Sequence, residues 1–374
     1  MNEEYTQTSI RAIISGGGTG GHIFPAIAIA RAIQARDPKA EILFVGALGK
    51  MEMEKVPQAG FKIIGLPIVG IQRKFTLKNF FVPFKIISSM IKARRIIREF
   101  KPDIAIGVGG YASGPLLRAA AGMGVKTLIQ EQNSYPGITN KILSKTVDRI
   151  CVAYEGLEKY FPKDKIILTG NPVRPEVIDI STKRDEAQRF FNLNPSKKTI
   201  LFVGGSLGAR TINQSVHAWA EKLISEGNQI IWQTGKGFFE TAKSFSETSV
   251  QLDLKVFDFI RDMDLAYAAA DIIVSRAGAM SISELCLTGK AVVLIPSPNV
   301  SEDHQTKNAM SLVQKNAAVL LKDADAQAEL YACLSELLND SEKTIDLGKN
   351  IALLGRKNAG AEIASEVFNL IHRS

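Results

Sequence analysis

Two glycine-rich runs stand where backbone chemistry is possible. Residues 16–21 read Gly-Gly-Gly-Thr-Gly-Gly, and residues 204–208 read Gly-Gly-Ser-Leu-Gly. Each follows a short apolar run and precedes an amphipathic stretch, so each is expected in a strand-to-helix turn. Glycine in such a turn lets backbone N–H groups close on a phosphate at the positive end of a helix dipole. Residues 16–21 also satisfy G-x-G-x-x-G, the dinucleotide fingerprint, which calls for an acid at the end of the second strand to hold a ribose. That strand ends Phe44-Val45-Gly46-Ala47-Leu48 without a carboxylate, and the chain has no G-x-x-x-x-G-K-[ST] loop. A nicotinamide, a flavin or a P-loop nucleoside triphosphate is therefore not expected. Glycines serving only tight turns would explain either run alone, and explain the pair less well.

His22 follows the first loop at the start of its helix. A helix N-terminus disfavours imidazolium, so a neutral His22 is placed to accept a proton. Capping of the loop is the plainer alternative, and Asp103, Glu131 and Tyr111 are the other candidates for the base. His304, in Glu302-Asp303-His304-Gln305, precedes another helix and could touch substrate, whereas His217 and His372 lie in helical patterns and read as packing or surface residues. Glu284 closes the run 275–284, where a helix is expected from near Met280. A carboxylate on that first turn can accept both hydroxyls of a ribose, although the helix dipole alone also favours Glu there. Glycines and polar residues at 107–115 and 130–133 follow strands as well, which builds a site rather than a core.

Short β-branched runs must position these residues. They occur at 11–15, 41–45, 103–108, 126–130 and 149–152, alternating with amphipathic stretches, and again at 199–203, 229–233, 255–259, 271–274 and 291–295. Repeated strand–helix units imply an α/β chain of two doubly wound, Rossmann-like domains. Ligands are then expected at the carboxyl ends of the strands, in a cleft where the domains face each other. The junction is read at Gly170-Asn171-Pro172-Val173-Arg174-Pro175, dividing the chain into 1–173 and 174–349. A helical tail, about 350–374, carries Ile351, Leu353, Leu354, Ile363, Val367 and Leu370. Periodicity does not say which sheet it covers; a return to the first domain is open.

The chain has 374 residues, 45% hydrophobic and 22% charged, enough core for two or three domains. No run of about 18 apolar residues marks a membrane span, and residues 1–7 do not resemble a secretory signal. Cys151, Cys286 and Cys333 are too few and too scattered for a disulfide framework or a zinc site. A reduced, cytoplasmic protein is expected. Charge is uneven: residues 1–170 hold 24 Lys+Arg against 13 Asp+Glu (+11), and residues 171–374 hold 22 against 25 (−3). From Lys55 to Arg98 ten basic residues occur without one carboxylate, so this segment is expected to meet phosphate, nucleic acid or lipid headgroups. Within it Leu77, Phe80, Phe81, Phe84, Ile87 and Ile91 fall on one helical arc flanked by Lys74, Lys78, Lys85 and Lys92. Pro83 is expected to split the stretch into two short helices. An apolar stripe edged by lysines, with Arg94 beside it, suits a surface lying on anionic lipid; a domain helix with a solvated face is the alternative.

Six motifs in order now mark a family. Gly-Gly-Thr-Gly-Gly-His (17–22), Gly-Gly-Tyr-x-Ser-Gly-Pro (109–115), Glu-Gln-Asn (131–133), Gly-Asn-Pro-Val-Arg (170–174), Gly-Gly-Ser-x-Gly-Ala-Arg (204–210) and Ser-x-Ser-Glu (281–284) run through nearly the whole chain. With them the chain closely resembles the MurG family, peptidoglycan N-acetylglucosaminyltransferases that convert lipid I to lipid II. The resemblance implies the glycosyltransferase-B architecture, UDP-GlcNAc mainly on the second domain, the lipid acceptor on the first, inversion at the anomeric carbon, and neither metal nor cofactor. It implies a peripheral place on the cytoplasmic side of the inner membrane, no nucleic-acid partner, and a part in cell-wall biogenesis and so in cell shape and division. Position by position, Thr19, Gly20, Gly21, Asn133, Arg174, Ser206, Ile260, Ala279, Met280, Ser281, Ile282, Ser283, Glu284 and Gln305 match the family's UDP-GlcNAc contacts. Glu284 would hold the uridine ribose, Ile260 would pack at the uracil and Gln305 would touch the sugar. His22 and Tyr111 match acceptor-side positions. The loop 297–304 departs from the family in length and composition, so Gln305 is placed by the Thr-Lys-Asn-Ala that follows it. Two other classes stay open. A UDP-GlcNAc 2-epimerase would share architecture and donor without needing the basic, aromatic segment. A nucleic-acid-binding module would use the basic half but leave the second glycine loop and Glu284 without a role.

Overall fold

A computed structural model of the protein describes residues 9–68, 82–205, 207–247 and 253–372. Lys74, Lys78, Phe80, Phe81 and Ser206 lie outside the described residues. The chain forms two compact units, Met1–Pro172 with Asn358–Ser374, and Val173–Lys357.

The first unit runs β1 (Arg11–Ser15), α1 (Gly20–Arg36), β2 (Glu41–Ala47), α2 (Glu52–Gln58), β3 (Lys62–Leu66), α3 (Val82–Phe100), β4 (Ile104–Gly107), α4 (Ser113–Gly122), β5 (Lys126–Glu131), α5 (Ile138–Leu143), β6 (Arg149–Val152) and β7 (Ile166–Leu168). Its seven strands pair in parallel in the order β3-β2-β1-β4-β5-β6-β7. The second unit runs α6 (Arg184–Phe190), β8 (Lys198–Val203), α7 (Arg210–Ser225), β9 (Asn228–Gln233), α8 (Phe239–Ser246), β10 (Leu254–Phe257), α9 (Met263–Ala269), β11 (Ile272–Ser275), α10 (Ala279–Thr288), β12 (Ala291–Leu294), α11 (His304–Val313), β13 (Val319–Leu320), α12 (Ala326–Asn339) and α13 (Ser341–Ala352). Its six strands are also parallel, ordered β10-β9-β8-β11-β12-β13. The last helix, α14 (Ala359–His372), belongs to the first unit.

Both faces of the inner strands are covered, which is why those strands read as continuous apolar runs. In β1, Ala12 and Ile14 pack with Ile23, Ile29 and Ile33 of α1 and with Ile363 and Val367 of α14. Ile13 points the other way, to Ala93, Ile96 and Ile97 of α3 and Leu116 and Leu117 of α4. The tail is also tied down by polar contacts: Arg149 pairs with Glu366 at 3.2 Å, and the Arg36 guanidinium lies 4.6 Å from the Phe368 ring centre.

Three strands, β3, β7 and β13, were not legible in the sequence, and all three are sheet edges. Edge strands are short and half-covered, so their apolar signal is weak. α3 begins at Val82, which puts Pro83 in its first turn, and the residues of the stretch before Val82 lie outside the described ones. Proline in a first turn gives up an N–H that has no acceptor in the helix anyway.

Candidate functional site

In the first unit the strand order reverses between β1 and β4, and doubly wound sheets open their ligand crevice at such a reversal, beyond the carboxyl ends of the strands. The β1–α1 and β4–α4 loops meet there. A Cβ on Gly110 would lie 2.4 Å from the Gly17 carbonyl oxygen, and Gly110 sits at φ +88°, so both close approach and backbone conformation require glycine. The buried Ser113 hydroxyl, shared between the carbonyls of Gly109 (2.8 Å) and Ser15 (3.0 Å), clamps the second loop to the end of β1. Thr19 is the N-cap of α1, and Gly20 and Gly21 supply first-turn amides with no carbonyl four residues back. His22, third in that helix, has Nδ1 at 3.1 Å from the Gly17 carbonyl oxygen. A carbonyl only accepts, so Nδ1 carries the proton and Nε2 is the basic nitrogen of the neutral ring. The ring rests on Gly109, where a Cβ would come within 2.9 Å of Nε2.

The second unit repeats the plan with its reversal between β8 and β11. The β8–α7 loop packs backbone to backbone on the turn after β9: a Cβ on Gly208 (φ +78°) would lie 2.1 Å from the Thr234 carbonyl oxygen. Gln233, buried, joins this loop to the next: Nε2 donates to Gly205 O at 3.0 Å, and Oε1 accepts from Ile260 N at 3.1 Å. Arg276, in the β11–α10 turn, donates to the carbonyls of Ile295 (3.1 Å) and Pro296 (3.2 Å) and pairs with Asp323. Ser297 N donates to Gln305 Oε1 at 2.8 Å. Glu284 is buried, with Oε1 accepting from Arg174 Nε at 2.7 Å and Oε2 accepting from an Arg174 amino group at 2.8 Å and from the Tyr267 hydroxyl at 3.1 Å. Burial, and then the Glu284 charge, hold the Tyr267 phenol well above its ordinary pKa, so it stays a donor. Burial opposes the charge on Arg174, and the hydrogen bond and charge of Glu284 outweigh it, raising its pKa.

The model of the glycosyltransferase family 28 N-terminal domain matches residues 12–152, and that of the glycosyltransferase family 28 C-terminal domain matches residues 199–363. The UDP-N-acetylglucosamine--N-acetylmuramyl-(pentapeptide) pyrophosphoryl-undecaprenol N-acetylglucosamine transferase of Flavobacterium psychrophilum is 55% identical over 359 residues, 96% of this chain and 97% of that protein. Its namesake from Parabacteroides distasonis is 54% identical over 363 residues, 97% of this chain and 99% of that protein. The crystal structure of Acinetobacter baumannii MurG matches with a TM-score of 0.80 at 28% identity, covering 98% of this chain and 100% of that one. The chain belongs to the MurG family. Its fold is accordingly the glycosyltransferase-B fold of two Rossmann-like domains. A UDP-GlcNAc 2-epimerase from Neisseria meningitidis, bound to UDP-GlcNAc, matches with a TM-score of 0.66 at 14% identity, a likeness of fold alone.

The MurG-family positions fall into two groups, one in each unit. Thr19, Gly20, Gly21 and His22 stand together at the start of α1, with Tyr111 exposed on the adjoining β4–α4 loop. Asn133 follows β5, and its Nδ2 donates to Glu131 Oε1 at 3.2 Å. In the second unit Ala279, Met280 and Ser281 form the half-buried first turn of α10, and Ser283 donates from Oγ back to the Ala279 carbonyl at 3.0 Å. Gln305 is second in α11, whose first residue, His304, has Nε2 4.0 Å from Glu302. Ile260 and Ile282 are buried, and the Ile282 amide donates to Gly278 O at 2.9 Å.

Several sequence expectations need correction. Glu284 is the sixth residue of α10, on its second turn, and is engaged by Arg174 and Tyr267 rather than open. Asp103 accepts from Arg11 N at 2.7 Å at the amino ends of β1 and β4, the far edge of the sheet from the glycine loop. Glu131 is buried and takes donors from Asn133, Gly137 and Asn140, which makes it a loop anchor instead of a base. Lys92 donates to the Gly65 carbonyl at 2.7 Å and is committed to β3 rather than to a free flank. The acid absent from the end of β2 arrives five residues later, as Glu52. Glu52, Gln233, Tyr267 and Arg276 went unnoticed in the sequence; only Glu52 had a signal, an acid opening the helix that follows the Gly46-Ala47 end of β2.

Proposed function

We propose that the protein transfers N-acetylglucosamine from UDP-GlcNAc to the muramoyl 4-hydroxyl of undecaprenyl-diphospho-N-acetylmuramoyl-peptide, turning lipid I into lipid II in peptidoglycan synthesis. The observation that carries this reading is the 54–55% identity, along nearly the full chain, to relatives named for this transfer. The bond from C1 of the sugar to the β-phosphate oxygen breaks as the bond from C1 to the acceptor oxygen forms, with inversion, and UDP leaves with the electron pair. The acceptor's hydroxyl proton passes to His22 Nε2. Charge growing on UDP is met by backbone donors and the first turns of α7 and α10, which need no reorganisation to do so. Glu284 takes the ribose. A carboxylate has about four acceptor sites, and Arg174 and Tyr267 fill three, so one hydroxyl enters directly. A second enters when Arg174, whose side chain is 45% exposed, turns toward the diphosphate.

The acceptor's polyprenyl tail stays in the bilayer, so the first unit works at the cytoplasmic leaflet of the cell membrane. Helix α3 supports this placement. Phe84, Ile87 and Ile91 share one face and are 64%, 57% and 63% exposed, with Lys85 and Arg94 exposed beside them. No helix among the described residues is long and apolar enough to cross a membrane. A transfer assay with labelled UDP-GlcNAc and vesicle-embedded lipid I tests the reading: labelled lipid and UDP should form in equal amounts. Release of an epimerised sugar without lipid labelling would refute it.

A further inference from the structure

Glu52, the first residue of α2, is 1% exposed, and its oxygens accept amides from two segments: Gly18 of the β1–α1 loop and Ala47 at the end of β2, each at 2.9 Å. Glycines make room for it. A Cβ on Gly17 would lie 2.2 Å from Oε1, and one on Gly46 would lie 2.6 Å from Cγ. Gly18 N–H and Gly17 C=O belong to one planar peptide unit, so holding the first fixes the direction of the second. The N–H points to Glu52, and the C=O accepts from His22 Nδ1 at 3.1 Å. Gly110 closes the other side of the same carbonyl. Glu52, the peptide and the imidazole thus form a chain of hydrogen bonds in which each polarises the next.

We propose that Glu52 is a positioning residue for His22. Through the Gly17–Gly18 peptide it holds the imidazole in the Nδ1–H tautomer, so that Nε2 is the nitrogen able to take a proton. The ring tautomer is set by the bond its other nitrogen makes, and here that bond's acceptor is itself held by a buried carboxylate. The proposal rests on the reading of His22 as acceptor of the hydroxyl proton, and the two can fail separately.

The test uses the full chain labelled with 15N-histidine. Four histidines are present, and the spectrum of His22→Gln identifies the signals of interest. Wild-type protein at alkaline pH should show Nδ1 protonated and Nε2 unprotonated. Glu52→Gln keeps one acceptor and turns an amino group against the other amide. It should give mixed tautomers at position 22 and lower turnover about tenfold or more, part of the roughly 10²- to 10⁴-fold worth of a general base, with the KM for UDP-GlcNAc unchanged. Should Glu52→Gln not fold, Gly46→Ala, which pushes on Glu52 Cγ and leaves its charge, should move both readouts the same way. Protonated Nε2 in the wild type, or an unchanged tautomer in a folded variant, overturns the proposal. If Glu52→Gln shifts the tautomer while His22→Ala keeps its turnover, the positioning stands and the base lies elsewhere.

Discussion

Replacing Glu284 with Gln keeps its volume and removes one of two charged acceptors. The carboxamide can satisfy Arg174 Nε through its oxygen, and the Tyr267 hydroxyl can rotate to accept from the new amino group. The second Arg174 bond, 2.8 Å in the native chain, becomes donor against donor. A charge-assisted hydrogen bond lost in a buried place costs about 1.5–3 kcal/mol. Arg174 is 45% exposed, so water takes up its free donors and the loss of stability falls to about 1 kcal/mol. For a unit of this size that is roughly 2–4 °C in melting temperature. The ribose has no such substitute. A neutral acceptor in place of the carboxylate should cost the full range, about 10- to 150-fold in kcat/KM for UDP-GlcNAc. The assay is initial rate against UDP-GlcNAc at saturating acceptor, with melting measured in parallel and Arg174→Lys added to close a double-mutant cycle. A coupling of about 1 kcal/mol is expected between the two positions. Wild-type kinetics in Glu284→Gln would refute the ribose assignment. A melting point lowered far beyond a few degrees would show that the carboxylate serves the fold first.

The other predictions concern the base, the membrane face and the thiols. His22→Ala should lower turnover about 10²- to 10⁴-fold with UDP-GlcNAc binding by calorimetry intact; a loss below about tenfold puts the base elsewhere. Phe84→Ser with Ile87→Ser should depress activity on bilayer-embedded lipid I and spare a short-chain soluble analogue, and equal loss on both would return these residues to a structural role. Binding to anionic vesicles should weaken with salt, because screening acts over about 8–10 Å, and weaken further in Lys85→Glu. Burial pushes the Cys286 thiol up to about 12 and the Cys333 thiol up to about 11. Folding therefore keeps protons that the unfolded chain sheds above about pH 8.5, so stability contributed by these groups declines as pH rises from there toward 11–12. Maleimide at pH 8 should label these two native thiols about 100-fold more slowly than in urea, and equal rates would refute it.

Central strands such as β1 and β8 were legible because both of their faces are buried, which writes an unbroken apolar run into the chain. The edges β3, β7 and β13 lack that run. Within the site, legibility followed distance along the chain. The glycine loops and His22 announce themselves because turn geometry and helix start act within six residues. Glu52 reaches Gly18 across 34 residues, and Arg174 reaches Glu284 across 110, and no local pattern encodes which acid meets which partner. The exposed face of α3 was legible as a stripe, because Phe84, Ile87 and Ile91 recur at helical spacing whether they cover a core or not. That they are exposed had to come from the fold.

The return of α14 to the first unit has a consequence for synthesis. Residues Val173–Lys357, 185 in all, intervene between the first sheet and the helix that covers one of its faces. At about 5–20 residues per second, the nascent chain waits roughly 10–40 s for that helix. During the wait Ile23, Ile29 and Ile33 lack the Ile363, Val367 and Phe368 they will pack against. The second unit has no such debt, since all its strands and covering helices are contiguous, and it can finish folding while the first stays open. A chain cut short near residue 357 and released would therefore hold a completed second unit and an uncovered first one, a form of this protein open to proteases and to chaperones.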